Sequence, residues 1–155
     1  MRFATRHVAP QLNLHRSWGF FVPPANRPVF YVCTTCRRAN TAPKPDGVEP
    51  DGKLLYDRLA ARLKELGARA PARIRPVVCL ANCERGCSVA IAAPGKWTYV
   101  LGEVGLQDVD DLVTYSATYA DAETGVVFRS RRPASLSTVV ARFPTHIDEA
   151  KDAAE

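Results

Sequence analysis

Five cysteines are the residues here whose type and spacing could do chemistry. Cys33 and Cys36 stand in "YVCTTC", while Cys79, Cys83 and Cys87 recur every four residues in "VVCLANCERGC". Thiolates in two close-spaced groups suit three chemistries. A [2Fe–2S] cluster takes two cysteines on each iron. Structural zinc accepts four. A Cys-x-x-Cys pair can also exchange disulfides. A four-thiolate site leaves one of the five over. His7, His15 and His146 fall outside the central body, so a Rieske-type centre, which needs two histidines beside its cysteines, is not expected.

The elements that must position these thiols follow from pattern. "VFYVC" (29–33) is rich in β-branched and aromatic residues after Pro28 and reads as a buried strand. "KLLYDRLAARLKELG" (53–67) carries Leu54, Leu55, Leu59, Leu63 and Leu66 at helical spacing, with Asp51 as the expected N-cap and Gly67 as the stop. "RIRPVVCL" (73–80) reads as a second strand, and 88–104 as a hairpin turning at Pro94-Gly95. A helix over 106–120 buries Leu106, Val109, Leu112, Val113 and Ala117, with Asp108, Asp110 and Asp111 in its first turn. A short edge strand is expected at 126–128. The result is an α/β fold of order β-α-β-β-β-α, with the first two strands parallel and both helices on one face.

Adjacent parallel strands would gather the two cysteine groups at one end of the sheet, where open α/β sheets carry their chemistry. Disulfide exchange fits less well. Pro43, Pro45 and Pro50 stand between Cys36 and the helix, which should keep the helix dipole away from the thiols. Trp97, Tyr99 and Leu101 share one strand face and read as core. Arg37, Arg38, Arg85 and Lys96 are the cations expected around the site.

"YVCTTCR", "CLANCERGC", "APGKWTYVLG" and the late "RRP" together resemble thioredoxin-like [2Fe–2S] ferredoxins. More specifically, they resemble a bacterial family of predicted metal-binding proteins encoded near cobalt and cobalamin genes. The resemblance spans about 29–136. It implies a one-electron carrier rather than an enzyme, with Cys33 and Cys36 as the first ligand pair and Cys79 and Cys83 as the second. The short first spacing departs from those ferredoxins, so Cys87 enters as an alternate ligand, against the simpler reading of a small buried side chain. The alternative is a zinc- or cobalt-binding protein without redox activity.

Composition sets the remaining expectations. Of the 155 residues, 1–28 form an irregular arm with Arg2, Arg6, Arg16 and Arg27 and no carboxylate; the other 17 basic residues stand against 16 acidic ones. The body (29–128) is thus nearly neutral, which argues against a nucleic-acid partner. Residues 129–155 read as a tail. No segment approaches a membrane span or a secretory signal, so a reducing cytoplasm is the expected compartment. The sheet face away from the helices should be apolar. It would be covered by a second copy in a homodimer, or by Trp18, Phe20 and Phe21 of the arm. A redox partner protein is the remaining expected contact.

Overall fold

The structure is a computed structural model in which residues 27–38 and 47–145 are described. Most of the arm, including Trp18, Phe20 and Phe21, lies outside the described residues, as do the three histidines and the C-terminal end. The elements are β1 (Val29–Cys33), α1 (Asp51–Leu66), β2 (Arg73–Val77), β3 (Val89–Ala92), β4 (Trp97–Leu101), α2 (Val109–Asp121) and β5 (Val139–Pro144), with short 3-10 turns between them. They build one five-stranded sheet in the order β2-β1-β3-β4-β5. β1 and β2 are parallel and every other pair is antiparallel. The order β-α-β-β-β-α is therefore as read from the sequence, and β5 follows it.

That last strand is a correction. The edge strand expected at 126–128 is absent; those residues are coil, and the edge is formed by 139–144 from the segment read as a tail. Its pairing with β4 (Tyr99 opposite Arg142, Leu101 opposite Val139) is interrupted by an irregularity at Val100/Leu101.

Strand register separates the two sheet faces. Phe30 lies opposite Ile91, Val32 opposite Val89, and Ile91 opposite Tyr99, so these side chains share one face. They form the core with Leu55, Leu59 and Leu63 of α1 and Leu112, Tyr115 and Tyr119 of α2. Both helices thus pack on that face. Ala90 and Val100 belong to the other, together with Tyr31 and Phe143. Trp97, Tyr99 and Leu101 share the helix side, as expected of core residues.

Helix ends differ in detail from expectation. Asp51 is the first residue of α1 and Pro50 is its N-cap; the Asp51 carboxylate instead accepts the Arg38 backbone N–H at 3.0 Å. Gly67 does end the helix, at φ 54, and its N–H reaches the carbonyls of Leu63 and Lys64. α2 starts at Val109 with Asp108 as N-cap, and Gly105 N–H donates to the Asp108 carboxylate at 2.7 Å. Its buried stripe is Val109, Leu112, Tyr115, Ser116 and Tyr119, whereas Leu106 and Ala117 are exposed. Lys96 is placed far from its expected role as a site cation. Its ammonium donates to the carbonyls of Tyr119, Ala120 and Ala122 at 3.3, 2.6 and 2.5 Å, capping the end of α2.

Three tyrosines fill the space between α2 and the sheet. Tyr99 meets Tyr115 and Tyr119 edge-on at 6.3 and 6.4 Å. Burial pushes the phenols of Tyr115 and Tyr119 well above the ordinary value of 10. The unfolded chain therefore gives up these protons first as pH rises. The stabilisation is complete below pH 10 and is lost progressively above it. Urea titrations at stepped pH should show stability falling above about pH 10, and Tyr115→Phe should flatten that fall.

Candidate metal centre

The Cys33–Cys36 turn leaves the end of β1 and is held from three sides. Toward β2, Thr34 N–H donates to Val77 O at 2.8 Å, and the Thr34 and Thr35 hydroxyls donate to Val77 O and Val78 O at 3.1 and 2.5 Å. Toward β3, Cys33 N–H donates to Ser88 O at 3.1 Å. Toward α1, Gly52 N–H donates to Cys36 O at 2.9 Å. Gly52 makes that last approach feasible, because a β-carbon there would drive into the Cys33 carbonyl.

This third contact overturns the expectation that prolines hold α1 away from the cysteines. The first turn of α1 lies directly against Cys33 and Cys36. Distance from the helix dipole is thus no ground for setting disulfide exchange aside. Burial is a better one: Cys33 is 1% exposed and Cys36 4%, whereas an exchanging thiol must be reachable.

The second cysteine group lies on the 78–88 loop. β2 ends at Val77, so Cys79 sits in the turn beyond the strand and Cys83 opens a 3-10 turn. Ala81 between them adopts the left-handed φ of 53°, a conformation disfavoured for a residue with a side chain, and its N–H donates to Cys79 Sγ at 3.2 Å. Asn82 braces the loop through Ser88 Oγ (2.9 Å) and Arg85 O (3.4 Å). Farther on, Glu103 and Val104 N–H donate to Arg85 O and Cys87 O at 2.7 and 3.1 Å. Gly86 packs its backbone on the Arg37 carbonyl, so the main chain of Arg37 and Arg85 frames the site.

The thiols divide in a way the four-residue rhythm conceals. Cys87 is buried in the core with Cys33 and Cys36, and its Sγ lies 4.0 Å from Cys36 O. Cys79 and Cys83 are exposed. The two groups nonetheless adjoin, because Cys33 Sγ lies 3.5 Å from Val78 O and receives the Leu80 N–H, the peptides on either side of Cys79.

Burial disfavours ionisation of Cys33, but hydrogen bonds from the Cys36 thiol and the Leu80 amide outweigh it and bring that thiol below its ordinary value. Burial and the neighbouring Cys33 push Cys36 up to about 12. Of the two thiols, Cys33 is the one that ionises more readily.

For a cysteine-ligated metal the donor chemistry and location fit: soft thiols only, two on each of two adjoining loops at adjacent strand ends. Among the described residues, however, no three Cys, His, Asp or Glu side chains are arranged to hold a metal ion. The roles of Thr34 and Thr35 in tying the two loops were not read from the sequence. Their signal is two short hydroxyl side chains at the end of a strand, where such residues bond to nearby backbone.

Two measurements check this arrangement. Metal-free protein treated with iodoacetamide should gain two adducts, on Cys79 and Cys83, and all five only in denaturant; early labelling of Cys33, Cys36 or Cys87 contradicts the burial found here. Gly52→Ala should lower stability by about 1–3 kcal/mol in chemical denaturation, as overpacking does.

Among solved structures, the chain is similar to a thioredoxin-like [2Fe-2S] ferredoxin from Aquifex aeolicus, with 17% identity and a TM-score of 0.47 over 79% of this chain and 100% of that one. A second structure of the wild-type ferredoxin gives 17% identity and a TM-score of 0.45, over 76% and 99% of the two chains. A cysteine-to-serine variant gives 15% and 0.46, over 74% and 98%. No curated protein matches the chain. A family model matches residues 30–145, from β1 through β5, and the chain belongs to that family, described as protein of unknown function DUF1636.

Proposed function

We propose that this protein is a one-electron carrier, not an enzyme, holding a [2Fe–2S] cluster through Cys33, Cys36, Cys79 and Cys83. The observation that carries the reading is the docking of the Cys79–Cys83 loop directly over Cys33, which puts two thiol pairs at the adjoining ends of parallel strands. When bound, such a cluster supplies a one-electron couple.

The chain's own residues contribute the rest. Burial of Cys33 and Cys36 keeps water from the inner side, and the Leu80 amide, a donor that ligation of Cys36 leaves intact, favours negative charge on Cys33. Ligation by all four requires Cys79 and Cys83 to turn inward from solvent while the strand ends stay fixed. The outer side carries Val78, 74% exposed beside Cys79, and is the side from which a redox partner protein reaches the site. Cys87 stands behind the inner pair as the alternate ligand. Service in cobalamin or cobalt metabolism is part of the proposal and rests on the family resemblance alone.

Anaerobically purified protein should be reddish-brown, bleach with dithionite, and contain about two irons and two sulfides per chain. Cys→Ala at 33, 36, 79 or 83 should each abolish the colour. Colourless protein with one zinc per chain sinks the proposal. Loss of colour in Cys87→Ala, with retention in one of the four, reassigns the ligands.

A further inference from the structure

The late "RRP" of the sequence has no part in the cysteine site. Its Arg132 lines a separate cavity of about 220 Å³ between the helix-side face of β4 and β5 and the coil from Val126 to Arg132. Tyr99, Val127, Phe128, Arg129, Arg132 and Arg142 form most of its wall, and no cysteine or 78–88 loop residue takes part. We propose that this cavity binds a small organic carboxylate with an apolar body.

Arg132 is the first ground. Its Nε and Nη1 are buried and have no hydrogen-bond partner. Leaving charged donors buried and unpaired costs more than leaving a neutral polar group so. Arg132, a residue of the cavity wall, thus carries two guanidinium nitrogens whose donors an anion would satisfy. The nearby Tyr115 hydroxyl, close enough to feel the Arg132 charge, is also buried without a partner.

Charge is the second ground. Three arginines stand in the cavity wall and no Asp or Glu does. None of the ion pairs among the described residues involves Arg129, Arg132 or Arg142.

The walls are held in place. Arg142 lies opposite Tyr99 in the β4–β5 register, and its guanidinium sits 5.0 Å over the Trp97 ring. Val127 N–H donates to the Tyr99 hydroxyl at 3.1 Å, fixing the coil to β4.

Shape and polarity select the ligand class. The planar fork of arginine matches the two oxygens of a carboxylate. Val126, Val127 and Val139 supply an apolar wall, and Phe128, 71% exposed, stands at the rim. A hydrated tetrahedral anion would leave that wall unused. The volume is below the roughly 300–1,000 Å³ of pockets for drug-sized ligands, so the ligand is small.

Sodium benzoate is a suitable probe, titrated into ¹⁵N-labelled full-length protein at constant ionic strength. Benzyl alcohol and inorganic phosphate serve as the neutral and the tetrahedral comparisons. Benzoate should give saturable shifts at the amides of Val127 and Arg132. Arg132→Gln should weaken it by about tenfold or more, in line with loss of a charge-assisted hydrogen bond. Arg142→Gln, at an exposed strand position that tolerates change, should weaken it several-fold and decides the matter if Arg132→Gln fails to fold. Absence of saturable shifts with benzoate overturns the proposal, as does unchanged affinity in Arg142→Gln. Equal affinity for benzyl alcohol removes the anion, and tighter binding of phosphate removes the carboxylate.

Discussion

The approach of the α1 N-terminus to the Cys33–Cys36 turn is the constraint on which the rest of this structure depends. One backbone hydrogen bond, from Gly52 to Cys36, joins the strand end, the cysteine turn and the helix. It forms only because Gly52 has no side chain to collide with the Cys33 carbonyl. With that junction made, Leu55, Leu59 and Leu63 fall onto Phe30 and Val32, and the buried thiols become part of the core. The same glycine thus serves packing and chemistry, so the two cannot vary independently at this position.

The cysteine region combines opposite design requirements. Cys33, Cys36 and Cys87 sit where side chains are enclosed and fixed; Cys79 and Cys83 sit on a loop whose backbone is braced while their thiols face water. A metal site needs rigid ligands to define geometry and accessible ones to admit the ion. Under the proposed function those tasks fall to different cysteine pairs. The left-handed Ala81 lies between the two accessible thiols and fixes the turn of the backbone that separates them.

Much of this was legible in the sequence, for identifiable reasons. β1 was readable to the residue because an uninterrupted β-branched and aromatic run follows a proline. The β3–β4 hairpin announced itself through Pro94-Gly95. β5 was not legible: "VVARFP" is an edge strand, largely exposed, so it lacks the burial pattern that marks the others. The face of α2 was misjudged because aliphatic residues were weighed above Tyr115 and Tyr119, which carry its packing. Linear spacing alone makes the three late cysteines look alike, but the position of Cys87 at the start of the hairpin marks it as a small buried side chain, as it is, while Cys79 and Cys83 are exposed. The prolines between Cys36 and α1 do not keep the helix from the cysteines, since separation along the chain says little about separation in space.

Lys96 carries a consequence of another kind. It belongs to the tight turn between β3 and β4, yet its ammonium collects three carbonyls from the end of α2. The helix therefore lacks a terminus that can fray by itself: opening its last turn means releasing the hairpin tip, and loosening the tip leaves those carbonyls unmet. Two elements far apart in chain order thus share one opening event. In terms of cooperativity, the last turn of α2 and the hairpin tip are tied into one local opening.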